Sequence, residues 1–459
     1  MVYEDIKYLS IPLPETVLKE RMSGNFNRAR EIIKKMLADG DTDYAMKARL
    51  ELELNNIDII ERTYTVTPDE ALEIIHRKIP DFSEEELDEL TLCNRADSFY
   101  INGCLRYTDT ICDTIFMSYP ELWKRSPGGD THDYSVLDNL IEDLRDGECM
   151  EAYIHIRQKM WIDDESVEKG KKLKVHLPIP VENGQLNNLR IISCNFSPKK
   201  MPSSREGQPT VYFESDVRQG EIFTLEYSLE HRVRYVDMTK VDLKEAANSE
   251  IPEEARKYLG EQAPHICFTP YLRELADNIK GKETNPLLIA RKFYDYVTTK
   301  VEYRFCRDYA SIDNLSEYCA LERRGDCGIQ SLLFITLCRI AGIPARWQSG
   351  LDAKPGDIGE HDWAMFYIPS VGWRFADLSY GGSSYLRGAD KRWNFFFGNI
   401  DPYRIPINSE FQCDFVPKPT YWRIDPYDNQ CGEAEYDDRG LSGEELNYDY
   451  EEVDIHLIK

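Results

Sequence analysis

The sequence has no apolar run approaching the ~18 residues that a membrane-crossing helix needs, which excludes an ordinary helical span within it. Its twelve cysteines include no Cys-x-x-Cys pair, so neither a zinc ribbon nor a thioredoxin-type motif is expected. In a reducing compartment most of these thiols are small buried hydrophobes. The eight histidines show no His-Glu-x-x-His and no paired ligand spacing, which argues against metal-assisted hydrolysis. No metal and no organic cofactor is expected. Positive charge is scarce: 56 Lys and Arg face 82 Asp and Glu, a formal net charge of −26. The nearest thing to a basic run is Lys169-Gly170-Lys171-Lys172, and so acidic a surface repels phosphate backbones and anionic headgroups. Nucleic acid and membrane surfaces are therefore poor partners. The opening residues, Met1 to Lys7, lack a basic segment followed by an apolar core, so no signal peptide is expected and the chain reads as cytoplasmic.

What is present suits a multidomain globular protein. At 459 residues the chain exceeds the usual size of a single core, so two or three domains are expected. Residues 1–145 read as mostly helical. Ala29, Ile32, Ile33, Met36 and Leu37 recur at helical spacing, Thr67-Pro68-Asp69-Glu70 supplies a cap and a first-turn proline, and Ser83 opens a further helix. Phe99 to Arg106 is a hairpin signal, because Asn102-Gly103 supplies the positive φ angles of a tight turn. From 146 to 245 the pattern changes to period two. Leu173, Val175 and Leu177, then Phe223, Leu225, Tyr227 and Leu229, alternate with polar residues, which predicts a small β-sandwich. Helical periodicity returns between 246 and 410, the region that holds the chemistry. Residues 411–459, rich in Pro and Tyr and then acidic, read as a solvated tail that packs loosely.

The central segment is Arg324-Gly325-Asp326-Cys327-Gly328-Ile329-Gln330. After Cys327, the apolar Ile329, Leu332, Leu333, Leu337 and Ile340 trace one face of a helix, which Gly342 and Pro344 terminate. Gly325 permits close approach and Asp326 is the candidate N-cap. Cys327 would sit in the first turn, where the helix dipole and unpaired N–H groups favour the thiolate and suit an oxyanion. Thirty-four residues on, His361 begins a strand-like stretch to Tyr367; Pro369 to Gly372 is a turn signal, and Trp373 to Leu378 is the returning strand. Such a hairpin brings His361 and Asp377 together at its open end, so that Asp377 accepts from one imidazole nitrogen while the other faces the thiol. Only an even register, or a bulge, puts both side chains on one face. In the register that sets Trp363 opposite Asp377, the Trp363 indole walls the His361–Asp377 bond and Trp373 belongs to the core.

These motifs resemble the transglutaminase-like superfamily, which includes animal transglutaminases, peptide:N-glycanase and many bacterial proteins. The resemblance rests on Gly325-Asp326-Cys327, Ala341-Gly342-Ile343-Pro344-Ala345-Arg346, His361-x-Trp363 and Gly372-Trp373-x-x-x-Asp377. The stretches Ile266–Pro270, Ala290–Val297 and Val301–Tyr303 are similar to the helices ahead of the nucleophile, and Leu177-Pro178-Ile179-Pro180 to the β-domain that often precedes it. The match covers about 260 to 385. It implies an α+β fold: a transglutaminase-like catalytic core, with a preceding β-sandwich and a mostly helical N-terminal region. It also implies Cys327 as nucleophile, His361 as general base then acid, and Asp377 as orienter. One departure concerns the second oxyanion donor. Papain-like relatives place Gln six residues before the nucleophile, where this chain has Leu321, and no Trp stands between about 260 and Cys327 to match that of animal transglutaminases. Tyr303 and Tyr309 are the candidates. The expected activity is cysteine-dependent hydrolysis of a peptide, protein or small amide substrate through a thioester. The alternatives are transamidation, and a binding or scaffold protein that keeps the fold.

Overall fold

The computed structural model describes residues 1–129, 133–182, 184–248 and 250–458. The N-terminal third is helical: α1 (Glu15–Met22), α2 (Phe26–Ala38), α3 (Tyr44–Thr63), α4 (Pro68–His76), α5 (Glu84–Leu92), α6 (Ile111–Ser118) and α7 (Ser135–Gly147). Local chemistry sets several of these ends. Thr67 and Glu70 close a capping box at α4, and Ser83 and Glu86 close another at α5. The predicted hairpin is β1 (Ser98–Ile101) and β2 (Cys104–Tyr107), with Asn102 and Gly103 at φ 49° and 85°.

Five strands follow: β3 (Cys149–Ile162), β4 (Leu173–Pro178), β5 (Leu186–Cys194), β6 (Thr210–Ser215) and β7 (Ile222–Arg234). The next region carries α8 (Leu243–Asn248), α9 (Glu253–Arg256), α10 (Pro270–Lys280), α11 (Pro286–Lys300), β8 (Glu302–Tyr303), α12 (Leu315–Glu322), β9 (Arg324–Gly325) and α13 (Cys327–Ile340). Then come β10 (Ala345–Lys354), β11 (Asp357–Ile368), β12 (Gly372–Ala376), α14 (Leu378–Leu386), α15 (Asp390–Phe395), β13 (Phe397–Gly398) and β14 (Arg404–Asn408), and finally β15 (Glu433–Tyr436) and β16 (Leu446–Ile458).

Two sheets face each other across one apolar core. One has the order β16-β3-β7-β5 and the other β15-β4-β6, and Ile154, Ile156, Val175, Leu177, Phe213 and Leu225 meet between them. The predicted sandwich is therefore present, but it is completed by the far end of the chain. The stretch expected to be a loose acidic tail is strand-paired: β16 runs antiparallel along β3 from Leu446↔Ile162 to Ile458↔Glu151, and β15 lies on β4. Cross-strand ion pairs explain how so acidic a strand is held: Lys159 meets Asp449 and Glu451, and Arg157 meets Glu451 at 2.9 Å.

A third sheet, ordered β13-β12-β11-β10-β14, carries the candidate site. Helix α13 is buried almost throughout and packs Phe334 against Phe366 of β11, with ring centres 5.8 Å apart. The predicted helix end is observed, with Ala341 as C-cap and Gly342 at φ 78°. The N-terminal region braces this core next to the nucleophile segment. Ser118 Oγ donates to the Tyr303 carbonyl at 2.9 Å, Arg304 donates to the Tyr119 hydroxyl at 2.8 Å, and Arg324 pairs with buried Asp97 at 2.8 Å.

Candidate active site

Cys327 is the first residue of α13, as its sequence predicts. Asp326 is the N-cap and accepts from the Ile329 N–H at 2.9 Å. Two glycines are required by close approach here. A methyl at Gly325 would press on the Ile329 side chain, and one at Gly328 would collide with the Tyr309 hydroxyl and the Asp362 carboxylate.

The hairpin of β11 and β12 adopts the even register, pairing Ala364 with Ala376 and Tyr367 with Trp373. Strand β12 stops opposite Ala364, and Asp377 leaves the sheet to cap α14, accepting from the Tyr380 N–H at 3.1 Å. At His361 and Asp362, β11 is thus paired with β10 on one side only, through Gly350 and Ser349. His361 Nε2 donates to Asp377 Oδ2 over 2.9 Å, with both residues buried. The ring is caged by the Trp363 indole, stacked at 5.9 Å, and by the edge of Tyr380 at 5.2 Å. Trp363 is fully buried and its Nε1 donates to Gln348 Oε1 at 2.8 Å, so it walls the imidazole as its register implies. Trp373 departs from expectation. Half-buried, it stacks under the Arg346 guanidinium and against Tyr258 rather than entering the core.

The structure joins His361 to Asp377 and sets Cys327 beside the next residue of the strand. The thiol donates to Asp362 Oδ2 at 3.5 Å. Among the described residues no hydrogen bond joins Cys327 to His361, and His361 Nδ1 has no hydrogen-bond partner. The effect expected of the helix start on the thiol is opposed by its surroundings. Burial pushes the Cys327 thiol well above its usual range, and the Asp362 and Asp326 carboxyls add to the effect, outweighing the Asp362 backbone N–H that acts on the sulfur in the other direction.

Asp362 was not singled out by the sequence, nor were Asp428 and Gln430 beside it. Burial, Asp428 and Asp326 hold the Asp362 carboxyl well above the usual carboxylate range. Gln430, from the supposed tail, donates to Asp362 Oδ1 at 3.1 Å and to the His361 carbonyl at 3.0 Å. Opposite the imidazole, buried Arg404 reaches Asp377 Oδ2 at 3.5 Å, Asp401 at 3.0 Å and Asp352 at 3.5 Å, and it lies on the Tyr380 ring at 3.9 Å. Burial raises the Asp377 carboxyl, but His361 and Arg404 overcome it and hold it below its usual range. The two candidate oxyanion donors also separate. The Tyr309 hydroxyl is committed to Asp326 Oδ1 at 2.7 Å. Tyr303 pairs in parallel with Gly325, and its phenol forms no hydrogen bond among the described residues. Cys327, then burial, push that phenol's ionisation well upward.

Residues 273–378 match the core of the Transglutaminase-like superfamily. A curated relative, an uncharacterised protein of Haemophilus influenzae, is 25% identical over 234 residues, 43% of this chain; the chain spans 62% of that relative's length. Among solved structures, a candidate cysteine protease from Cytophaga hutchinsonii is 14% identical, covering 67% of this chain and 91% of its own, with a TM-score of 0.43. The periplasmic domain of TgpA from Pseudomonas aeruginosa is 15% identical, covering 55% and 95%, with a TM-score of 0.30. No helix among the described residues is long and apolar enough to cross a membrane. The matched stretch begins in α10 and ends in α14, so it contains Cys327, His361 and Asp377, and the chain carries a transglutaminase-like core.

Proposed function

We propose that this protein is a cysteine-dependent hydrolase of amide or peptide bonds, with Cys327 as nucleophile, His361 as base and then acid, and Asp377 as orienter. The observation that carries this reading is the half-used imidazole. His361 Nε2–H donates a hydrogen bond to Asp377, which leaves Nδ1 as the acceptor, and the next residue of β11, Asp362, touches the Cys327 sulfur at 3.5 Å. A thiol kept protonated by burial and by carboxyls favours a neutral thiol–imidazole pair over a preformed ion pair. Deprotonation then accompanies attack: the S–H proton passes to Nδ1 as sulfur bonds to the carbonyl carbon. On this reading the oxyanion is received by the Cys327 backbone N–H at the helix start and by the Tyr303 phenol, whose hydroxyl makes no other hydrogen bond among the described residues. His361 returns its proton to the leaving amine, and water attacks the thioester by the same route in reverse. Transamidation would use the same residues with an amine in place of that water.

Incubation with amide substrates, followed by intact-mass measurement, should reveal an acyl adduct on Cys327. Cys327→Ala and His361→Ala should each abolish turnover with the thermal transition nearly unchanged. Undiminished turnover by Cys327→Ala would place the chemistry elsewhere.

A further inference from the structure

Asp362 is held at both of its carboxyl oxygens. Oδ2 meets the Cys327 sulfur at 3.5 Å, and Oδ1 accepts from Gln430 Nε2 at 3.1 Å. Among the described residues these are the only hydrogen bonds of that carboxyl. A thiol is a weak donor, so the amide is the stronger restraint. The same amide nitrogen lies 3.0 Å from the His361 carbonyl and 2.9 Å from the Gly350 carbonyl. Those two residues are directly opposed on β11 and β10, at a point where β12 no longer pairs with β11. Three oxygens therefore converge on one nitrogen. They fix the orientation of the amide, because Oε1 turned to the same place would face only oxygen.

Gln430 belongs to the segment between β14 and β15, which is pinned at three successive carbonyls from three different strands. Asn408 of β14 donates to the Asn429 carbonyl at 2.9 Å, the Tyr450 hydroxyl of β16 to that of Gln430, and Gln158 of β3 to that of Cys431 at 3.2 Å. The sandwich thus presents one half-buried side chain to the catalytic hairpin from a main chain already fixed. Neutral donors are the rule on this side of β11. Among the described residues, Asp326, Asp362, Asp425 and Asp428 form no ion pair with Lys, Arg or His. Ser349 and Asn408 both donate to Asp428 Oδ1 at 2.7 Å, and Asp425 accepts from the Asp428 N–H at 3.0 Å. Of the side-chain amides here, Gln430 reaches the carboxyl that touches the nucleophile.

We propose that Gln430 is a positioning residue, delivered by the C-terminal segment, which turns Asp362 onto the Cys327 sulfur and ties the His361 backbone to β10. This rests on the reading of Cys327 as the nucleophile, and it adds a control on that thiol. Without the amide, Asp362 Oδ1 loses its donor and the carboxyl is free to leave the sulfur. Asp362 stands directly after burial among the influences that keep the thiol protonated, so its release makes Cys327 more reactive toward an electrophile. The strand that carries His361 loses its tie at the same time, so turnover falls while the resting thiol gains reactivity. A merely structural role would not move the two in opposite directions.

Alkylation of the full-length protein by iodoacetamide at pH 7, read by peptide mass spectrometry, tests the positioning without any substrate. Gln430→Met, similar in length but lacking the amide, should accelerate Cys327 roughly 3–10-fold while the buried Cys319 and Cys338 keep their rates. In an Asp362→Ala background no carboxyl remains to be held, and the same substitution should change the Cys327 rate by less than about 1.5-fold. Should Met loosen the fold, seen as acceleration of all three thiols, Gln430→Asn keeps an amide on a shorter arm and should give the selective change. On amide substrates, kcat of Gln430→Met should fall about tenfold with KM little changed. A wild type that turns over no amide sinks the hydrolase reading and leaves the alkylation test intact. An unchanged Cys327 rate in Gln430→Met, an undiminished kcat, an equal acceleration in the Asp362→Ala background, or general loosening in both Gln430 variants overturns the inference.

Discussion

Two sets of carboxylates, buried or half-buried, flank the same two residues of β11, and they are built by opposite rules. On the His361 side, Asp352, Asp377 and Asp401 share Arg404, with Lys354 adding a second cation 2.9 Å from Asp352. On the Asp362 side, four carboxylates share only neutral donors. The first arrangement keeps Asp377 ionised and therefore fixes the tautomer and tilt of the imidazole. The second keeps protons on carboxyls and on the thiol. Charge that positions a catalytic group is thus compensated by fixed cations, while the acids beside the nucleophile are pushed toward their neutral forms by burial and by one another.

The largest expected effect comes from converting the compensated side into the uncompensated one. Arg404→Met leaves three buried carboxylates without their shared guanidinium, and breaking a buried pair in this way costs about 3–5 kcal/mol. Urea unfolding should show that loss, with Arg404→Lys recovering part of it because Lys supplies the charge without the planar fork. A Met variant as stable as the wild type would mean that Lys354 alone neutralises this set and that the contrast between the two sides is illusory.

The opposite change on the other side should stabilise. Asp428 has its carboxyl raised to about 7 in the folded protein, by burial first and then by Asp425, against an ordinary value near 4. A raised folded-state value means that stability is complete below pH ~4 and declines as pH climbs through about 7, because only the unfolded chain ionises freely over that window. Asp428→Asn removes this penalty. Its advantage over the wild type should be near zero at pH 4 and should grow to a plateau above pH 7, on the order of 1–3 kcal/mol. Asp377, held below its usual range, has the reverse dependence: its contribution is present above pH ~4 and is lost as pH falls through its folded value. Denaturation midpoints of both proteins at unit pH steps check the sign, and an advantage that is flat with pH would show that Asp428 is already compensated.

Much of the paired side was legible in the sequence, and little of the unpaired side was. The His361–Asp377 bond follows from a hairpin whose turn and strands are local, leaving only the register open, and packing settles that by seating Trp363 at the imidazole. Cys327 at a helix start follows from Asp326, the apolar spacing and Gly342. Asp428 and Gln430 reach the site from a stretch whose acids read as solvated. That misreading has a physical cause. The last strand carries charge on the face it turns outward, and a bulge between Glu452 and Asp454 breaks the alternation that would have announced it. Arg404 gave no signal either, since a buried guanidinium is recognised only by acids brought to it from other strands. The opposition to the thiolate was hidden for a related reason: the dipole of α13 is local, whereas burial of the sulfur, first among the effects on it, and the Asp362 carboxyl depend on β11 packing over the helix start, with the adjacent Asp326 adding to them.

The smallest effect asks whether the unpaired carboxyls govern the nucleophile. Asp362 touches the sulfur and ranks directly after burial among the influences that raise the thiol, so removing its ionisable carboxyl should let the thiolate form at lower pH. Asn at this position keeps an oxygen for Gln430 and can offer the sulfur an amide N–H in place of a carboxylate. Alkylation of Cys327 by iodoacetamide at pH 7 should therefore run about 5–10-fold faster in Asp362→Asn, a change of roughly 1 kcal/mol in thiolate stability. Cys319 and Cys338 serve as internal references, since both are fully buried and Asp362 is not among the influences on either thiol, and their rates should not move. A common acceleration of all three would signal general loosening. An unchanged Cys327 rate would mean that burial alone keeps the thiol protonated, and the contrast between the two sides of β11 would then have no bearing on the nucleophile.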